Sequence, residues 1–541
     1  MAIRLLNPLI RLLLMQNDMK GRLFFMLMMI TLITGCSDDD PKKVDMPFVR
    51  LREDQILQST VLNRAVEYAV LLPAGYNETD ESYPVVYLLH GYGDDETAWY
   101  KNGGLQYYVD KHSAETVPMI YVMPQGFYTY YVDRYNGNFP YMQMFVEELV
   151  PEIDERFRTK KDKSQRAVMG YSMGGYGALI LPSMHPEVFS ISIPLSMSFR
   201  TDEQYLAESQ QAFDNQWAPN FGPGQGVSGT ARLTDYFKQR SPFYFFQQED
   251  LSVYRNVKFL IDCGDDEEAL IFTSNSLHSR MRSNGIAHEY RVRSGGHSFD
   301  YWKKSYPEAL KFISNAVQGI PHPDEPEPVA IGTQISGSEI ETIEVSGLEL
   351  KIVKPADYAV TTATYPVLYI IHGEGENSGE DRMNSFSLLR SAMNESKIPQ
   401  SVIVDIAEPV NDDDLVQEIV SHIDQTYRTK DVRANRVIMG NGSGAVNALA
   451  LADETDLFSD CFIFNAQLPD EASDVSGDVF YYVDATDEST SFKGYENLYL
   501  KIRNDGTDGY EYRVRQGSES YQSFLNGLAE SFPFLKESLN R

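Results

Sequence analysis

The sequence predicts an α/β fold in which each half of the chain builds a parallel sheet flanked by helices. Short, continuously apolar segments, such as 85–89 and 166–169, are typical of parallel strands buried on both faces. Helical patterns follow these segments, and that alternation indicates β-α-β units. Segments of similar composition recur in the same order beyond residue 339, which indicates a second domain of the same fold.

The segment 170–174 reads Gly-Tyr-Ser-Met-Gly and lies between a strand pattern and a helical pattern. A strand, a sharp turn and a helix in this order expose the hydroxyl of a nucleophilic serine, here Ser172. The strained turn needs small residues on both sides of the serine. The backbone N–H of Met173, at the start of the helix, is a predicted donor to the oxyanion that forms when Ser172 attacks a carbonyl group.

A second oxyanion donor is predicted from the strand that precedes this turn in the chain. That strand ends in His-Gly-Tyr-Gly at 90–93. A glycine-rich loop in this position supplies a backbone N–H to the oxyanion in serine hydrolases of this architecture, and Tyr92 is the expected donor.

Two further strand patterns lead to an acidic loop and to a histidine. The pattern at 257–264 runs into the acidic residues 265–268, and the pattern at 289–293 runs into Gly-Gly-His, which ends at His297. The order serine, acid, histidine is that of α/β-hydrolases. Each candidate follows the C-terminal end of a strand, where open α/β sheets bind their ligands. His297 would take the proton of Ser172, and a carboxylate would orient His297.

Residues 58–318 resemble the esterase D type of α/β-hydrolase, which includes S-formylglutathione hydrolases, feruloyl and acetylxylan esterases, siderophore esterases and mycolyltransferases. The resemblance is carried by the segments 88–93 and 169–175 and by His-x-Phe-x-x-Trp at 297–302. It implies a Ser-His-acid triad and an acyl-enzyme mechanism of ester hydrolysis. No metal-ligand spacing occurs, and no cofactor is expected.

The acid departs from the family pattern. In similar sequences it is an aspartate three residues after the glycine that ends the strand, and here that position is Glu267. A count back from the following helix points instead to Glu268, and Asp266 is a third alternative. Either glutamate could serve, since a longer carboxylate can also orient histidine, and Glu267 is the predicted acid.

Aromatic residues are concentrated at 127–141 and in an insertion at 198–254, where aromatic faces suit phenolic acyl groups or sugar rings. The resemblance implies feruloyl or acetyl groups on plant polysaccharide as substrate. A siderophore esterase or acyltransferase, and a surface glycan-binding protein with little activity, are the alternatives. The predicted substrate contacts are Tyr135, Asn136, Asn138 and Trp217.

The first 36 residues have the pattern of a lipoprotein signal peptide. Lys20 and Arg22 precede the apolar run 23–30, and a Ile-Thr-Gly-Cys sequence ends at Cys36. The run is short for a membrane span, so lipidation of Cys36 is predicted over a transmembrane anchor. The acidic residues 38–40 resemble the tag of surface-displayed lipoproteins, which implies anchoring to the bacterial outer membrane at the cell surface. Residues 37–57 are a predicted N-terminal linker.

A formal charge of −31 leaves no basic surface for nucleic acid, and a nucleic-acid partner is not expected. Besides Cys36, the chain has Cys263 and Cys461, each in an apolar strand pattern, where a packing role is predicted.

The proline-rich, acidic segment 319–338 is a predicted extended linker. The repeat then occupies 339–541, where Gly442 aligns with Ser172 and Glu519 with His297. The repeat is therefore predicted to be a degenerate esterase-like domain without activity, either structural or glycan-binding. Its removal is expected to leave the turnover of small esters nearly unchanged.

Overall fold

The computed structural model describes residues 49–541, with the exception of 374–378, 408–409, 411–412, 472 and 508. For Glu268 it describes the backbone but not the side chain. The predicted signal peptide, Cys36 and residues 37–48 of the predicted N-terminal linker lie outside the described residues. Within the described part, no helix is both long enough and apolar enough to cross a membrane.

The predicted α/β class is confirmed, and the strands of the described residues join into one continuous sheet. Strands of the first half are β1 Leu51–Ser59, β2 Arg64–Leu71, β3 Val85–Leu89, β4 Ile120–Pro124, β5 Arg166–Tyr171, β6 Ile191–Leu195, β7 Lys258–Gly264 and β8 Glu289–Arg293. Strands of the second half are β9 Ile340–Val345, β10 Leu348–Val353, β11 Val367–Ile371, β12 Val402–Ile406, β13 Arg436–Asn441, β14 Asp460–Phe464, β15 Phe480–Thr486 and β16 Tyr510–Arg515.

Helices cover both faces of this sheet. The longer helices of the first half are α1 Leu105–Lys111, α2 Val150–Arg156, α3 Met173–Met184, α4 Asp202–Ala207, α5 Asp235–Arg240, α6 Glu268–Ser283 and α7 Phe299–Gln318. Those of the second half are α8 Gly379–Asn394, α9 Asp413–Thr426, α10 Ser443–Glu454, α11 Phe492–Asp505, α12 Tyr521–Glu530 and α13 Phe532–Ser538. Strands such as β3, β5 and β6 are buried along their whole length, as parallel strands between helix layers must be. Both described cysteines are buried, in agreement with the predicted packing role.

The two halves have the same strand order. From the outer edge inward, the order is β1-β2-β4-β3-β5-β6-β7-β8 in the first half and β9-β10-β12-β11-β13-β14-β15-β16 in the second. The halves meet where β8 and β16 pair antiparallel at Val292 and Val514. Two sheets with the same strand order that pair antiparallel at their edges have the geometry of a two-fold symmetric dimer. Here both sheets belong to one chain.

Ion pairs across this junction repeat the same symmetry. Arg513 Nη1 lies 2.7 Å from Asp265 Oδ2, and Arg291 Nη1 lies 2.6 Å from Asp487 Oδ2. All four side chains are buried. Each half therefore supplies one arginine and one aspartate to the other half, and residues 50–541 form one compact unit.

Two predicted boundaries differ from the structure. The first strand begins at Leu51, so residues 51–57 belong to the sheet rather than to the predicted N-terminal linker. The segment 319–338 is also packed instead of extended: Ile335 is buried in the core of the second half, and the Val329 N–H donates to Asn526 Oδ1 at 2.8 Å. The proline content predicted a tether, but the apolar residues Val329, Ile331 and Ile335, which follow the last proline, pack against the core of the second half.

Candidate active site

Ser172 occupies the turn between β5 and α3 in a backbone conformation that is rare for residues other than glycine. Its φ is 58° and its ψ is −120°. Hydrogen bonds on both sides fix the turn, since the Ser172 N–H donates to Leu195 O at 3.0 Å and its carbonyl accepts from Ser198 N–H at 2.9 Å. A strained turn of this kind holds the hydroxyl away from the sheet.

The glycines around Ser172 are required by close backbone contacts. A Cβ atom on Gly170 would lie 2.1 Å from Gly174 O, and one on Gly174 would lie 2.2 Å from Leu89 O. A Cβ atom on Gly175 would lie 2.4 Å from Leu195 O. No side chain fits in these places, so the Gly-x-Ser-x-Gly-Gly pattern follows from the packing of α3 against β3 and β6.

Three side chains from three different loops form a continuous hydrogen-bonded chain. His297 Nε2 lies 2.9 Å from Ser172 Oγ, and His297 Nδ1 lies 2.7 Å from Glu267 Oε2. The Glu267 side chain is fully buried, whereas 42% of the His297 side chain is exposed. The carboxylate is therefore shielded while solvent can reach the imidazole.

Glu267 is held by two neighbours on its second oxygen. Oε1 accepts the Gly264 N–H at 3.1 Å and a short hydrogen bond from the Ser196 hydroxyl. Ser196 in turn accepts the indole N–H of Trp302 at 2.8 Å, and the ring of Trp302 stands edge-on to His297 at 5.2 Å. By fixing Oε1, these contacts also fix the direction in which Oε2 faces His297.

The structure brings Glu267, among the three candidate acids, next to His297. Asp266 is exposed, and its backbone N–H donates to Gly295 O at 3.2 Å. Glu268 is the first residue of α6, and its side chain lies outside the described part of the chain.

The two predicted oxyanion donors lie beside the turn. Met173 is the first residue of α3, where a backbone N–H has no partner within the helix. Tyr92 follows Gly91, whose carbonyl accepts a 2.8 Å hydrogen bond from Nδ1 of the buried His90. Because the Gly91 C=O and the Tyr92 N–H belong to one planar trans peptide, fixing the carbonyl also fixes the N–H on the opposite side.

The tautomer of His90 is set by its surroundings. His90 Nε2 accepts the Gly126 N–H at 2.7 Å, so Nδ1 carries the proton that is donated to Gly91. Burial lowers the pKa of His90, which keeps the ring neutral. Sequence reasoning gave His90 no role, although its position directly before the glycine of the loop was a usable signal. Ser196 was missed as well, and no pattern in the sequence marks it.

The predicted substrate contacts are in two different environments. Tyr135, Asn136 and Asn138 are exposed, with the Asn138 N–H bonded to Asn136 Oδ1 at 3.2 Å in a tight turn. Trp217 is 0% exposed and packs inside the insertion, with Tyr130 at 5.0 Å. The prediction for Trp217 is therefore wrong: the indole fills the core of the insertion and presents no face to a ligand.

Two other aromatic rings are exposed close to the oxyanion loop. Tyr92 is 40% exposed and Tyr128 is 51% exposed, and their rings meet edge to face at 4.8 Å. The buried ring of Tyr130 lies behind Tyr92 at 6.1 Å and supports it. This pair forms an aromatic wall next to the predicted oxyanion donor.

The second half retains the shape of the site with other residues. Gly442 stands between β13 and α10 with φ 60° and ψ −128°, nearly the angles of Ser172. Ser489 and Glu519 stand where the first half has Glu267 and His297, and Ser489 Oγ donates to Glu519 Oε1 at 2.5 Å. No imidazole is present in this arrangement.

Within the described residues, no group of three or more His, Cys, Asp or Glu side chains is arranged to hold a metal ion.

Comparison with known proteins shows that the first half is similar to esterases. Residues 59–313 match the family profile described as putative esterase. An endo-1,4-beta-xylanase/feruloyl esterase of Xylanibacter ruminicola is 36% identical over 129 residues, which are 22% of this chain and 18% of that protein. An esterase of Mycobacterium tuberculosis is 27% identical over 247 residues, which are 42% of this chain and 52% of that protein.

A solved structure of a ferulic acid esterase is similar to 49% of this chain and 98% of its own, with 27% identity and a TM-score of 0.42. The chain spans about half or less of the length of the two curated relatives above. The matched residues include Ser172, Glu267 and His297. Residues 59–313, a little under half of the chain, are thus similar to the esterase family, and this similarity supports a carboxylic ester hydrolase.

Proposed function

We propose that the protein is a serine carboxylic-ester hydrolase in which Ser172 is the nucleophile, His297 the general base and Glu267 the orienting acid. The observation that carries this proposal is the unbroken chain of hydrogen bonds from Ser172 Oγ through both nitrogens of His297 to Glu267 Oε2, with links of 2.9 and 2.7 Å. Such a chain raises the reactivity of an otherwise weak serine nucleophile.

The reaction follows from these contacts. The Ser172 hydroxyl gives its proton to His297 Nε2 as its oxygen attacks the ester carbonyl, and Glu267 stabilises the resulting imidazolium. The backbone N–H groups of Tyr92 and Met173 donate to the oxyanion of the tetrahedral intermediate. The intermediate then collapses: the ester C–O bond breaks, the imidazolium protonates the departing alkoxide, and the acyl group stays on Ser172. Water, activated by His297, attacks this acyl group and regenerates the free hydroxyl.

We infer that the substrate is an ester side group of plant polysaccharide, feruloyl rather than acetyl. The aromatic wall of Tyr92 and Tyr128 supports this choice, because stacked or edge-on rings favour a phenolic acyl group. The relative from Xylanibacter ruminicola, whose name joins a xylanase to a feruloyl esterase, supports the same substrate class. The exposure of His297 favours hydrolysis over acyl transfer, since water reaches the base.

The substrate proposal is tested by comparing methyl ferulate with 4-nitrophenyl acetate in wild type, Tyr128→Ala and Tyr107→Ala. Ring–ring contacts contribute about 0.5–1.5 kcal/mol, so Tyr128→Ala should lower kcat/KM on methyl ferulate roughly three- to tenfold and leave the acetate nearly unchanged. Tyr107, which is 64% exposed and lies outside this wall, serves as the control. Equal losses on both esters in Tyr128→Ala would contradict a phenolic acyl site.

We further propose that the protein is a lipoprotein anchored through Cys36 at the surface of the outer membrane. The basic residues, the short apolar run and the Ile-Thr-Gly-Cys sequence that ends at Cys36 support this proposal. Metabolic labelling with a palmitate analogue should mark the wild-type protein and not Cys36→Ala. Protease treatment of intact cells should remove the labelled wild-type protein, and protection from the protease would argue against surface exposure.

The second half is proposed to be a degenerate copy of the esterase domain. Its strand order equals that of the first half, and its turn at Gly442 has the backbone angles of the nucleophile turn. Glycine offers no nucleophile, and Glu519 places a carboxylate where the first half has its imidazole base. Ester hydrolysis is therefore assigned to the first half alone.

A further inference from the structure

Asp265 connects the two loops that carry the acid and the base. It is 1% exposed and stands two residues before Glu267. Its Oδ1 accepts the N–H of Gly295 at 2.9 Å, and Gly295 stands two residues before His297. The loops are in close contact there, since a Cβ atom on Gly264 would lie 2.0 Å from Gly295 O. A movement of Asp265 must therefore move both loops.

The second half supplies three further hydrogen bonds to Asp265. Its Oδ2 accepts from Arg513 Nη1 at 2.7 Å and from the Tyr512 N–H at 3.1 Å, and its backbone carbonyl accepts from the Tyr499 hydroxyl at 2.6 Å. Arg513 and Tyr512 are residues of β16, and Tyr499 is a residue of α11. Three donors from the second half thus hold one residue of the acid loop.

Because Asp265 is charged, the acid loop depends strongly on these donors from the second half. A buried carboxylate that loses its cationic partner is destabilised by several kcal/mol, because neither water nor another charge compensates it. Arg513 is buried as well, and its pKa is raised above the usual value by Asp265 and Glu511 although desolvation lowers it. Without Arg513, the loop would have to open so that water could reach Asp265.

We propose that the second half positions the catalytic loops of the first, with Arg513 as the positioning residue for the Glu267–His297 pair. This inference rests on the proposed function, because the pair it serves is the proposed acid and base. Arg513 touches neither substrate nor reacting atoms. It acts through Asp265, which sets the place of both loops, and a shift of about 1 Å in such a pair can cost on the order of 100-fold in rate.

The second half is therefore expected to affect turnover itself. The sequence suggested that its loss would leave the turnover of small esters nearly unchanged. The contacts of Asp265 indicate the opposite, because they affect the acid and the base themselves rather than the binding of a polymer. A defect at this contact should therefore be equal on small and polymeric esters.

The internal symmetry provides a matched control. Asp487 Oδ2 accepts from Arg291 Nη1 at 2.6 Å and from the Tyr290 N–H at 3.2 Å, and Asp487 Oδ1 accepts from the Gly517 N–H at 2.9 Å. These contacts mirror those of Asp265. The loop that they hold carries Ser489 in place of a catalytic acid, so breaking them should cost stability without affecting the reaction.

The test compares Arg513→Gln with Arg291→Gln on 4-nitrophenyl acetate, with the active sites counted by fluorophosphonate titration. Arg513→Gln should lower kcat per active site about 10- to 100-fold with KM within about twofold. Arg291→Gln should lower the melting temperature in a similar way and keep kcat close to wild type. Arg513→Lys should recover part of the lost kcat, since it restores the positive charge. Equal loss of kcat in both glutamine variants, or loss in neither, would overturn the proposal.

Two further measurements keep the test decisive. Tyr499→Phe removes the hydroxyl that donates to Asp265 O and that is also hydrogen-bonded to Tyr510, and this variant should fold even if Arg513→Gln does not. It should lower kcat about threefold with KM unchanged. Proton NMR should show a far-downfield resonance from His297 Nδ1–H on Glu267 in wild type and Arg291→Gln, and its loss in Arg513→Gln. A wild-type protein that hydrolyses no ester would contradict the proposed function, whereas the NMR comparison would still decide the positioning role.

Discussion

Ser172→Ala should lower kcat for ester hydrolysis by roughly 10⁴- to 10⁶-fold, the largest effect expected for any single substitution in this chain. The oxyanion donors remain, but no atom is left to form the acyl intermediate. The fold should persist, because alanine adopts the backbone angles of Ser172 with similar strain and the turn is held by main-chain bonds to Leu195 and Ser198. Steady-state kinetics and circular dichroism measure the two parts of this prediction.

Covalent labelling identifies the nucleophile independently of turnover. A fluorophosphonate probe should react with wild type and with Ser443→Ala, and it should not react with Ser172→Ala. Ser443 is the proper control, because it follows Gly442 at the corresponding turn of the second half. Labelling that persists in Ser172→Ala and disappears in Ser443→Ala would reverse the assignment of the two halves.

Glu267→Gln should have the second-largest effect, a loss of roughly 10³- to 10⁴-fold in kcat. Glutamine can fill the same volume, but its neutral amide does not stabilise an imidazolium and can favour the wrong tautomer of His297. The Ser196 hydroxyl and the Gly264 N–H would also lose their anionic acceptor. The measurement is single-turnover acylation at saturating ester, which separates the chemical step from product release.

Asp266→Asn is the matched control for Glu267→Gln. Both changes remove one carboxylate from the same loop, but Asp266 is exposed and Glu267 faces the histidine. The asparagine variant should retain most of its activity. If Asp266→Asn were as damaging as Glu267→Gln, general electrostatics of the acidic loop would account for the loss, and a specific acid would not be needed.

Local patterns in the sequence were enough to predict several strands of each half and the turn at Ser172, but not the first strand, which begins within the predicted N-terminal linker. Continuous apolar runs predict buried parallel strands, and the glycines of the turn follow from backbone contacts within a short stretch of chain. The acid could be narrowed only to three neighbours, because a change of one residue in the loop between β7 and α6 turns a different carboxylate toward His297. Such a choice depends on the packing of Ser196 and Trp302, which are distant in sequence.

Pairings between the halves are not contained in any local pattern. The chain has an arginine at equivalent positions, 291 and 513, and an aspartate at 265 and 487. Each aspartate could in principle pair with the arginine of its own half or with that of the other half. The structure has the crossed arrangement, and only the antiparallel meeting of β8 and β16 decides it. The position of Trp217 could not be predicted from a local pattern either. Whether an aromatic residue lines a pocket or fills a core depends on its neighbours in space.

Because the two halves are joined through β8 and β16, the second half can support the first without catalysing a reaction itself. In a dimer of two chains, the crossed arginine–aspartate pairs would form only at sufficient protein concentration, whereas one covalent chain keeps its partner at a high and constant effective concentration. The pairing therefore does not depend on protein concentration, and the second half acts as a permanent internal subunit whose strand edge and crossed charges matter whatever its own chemistry.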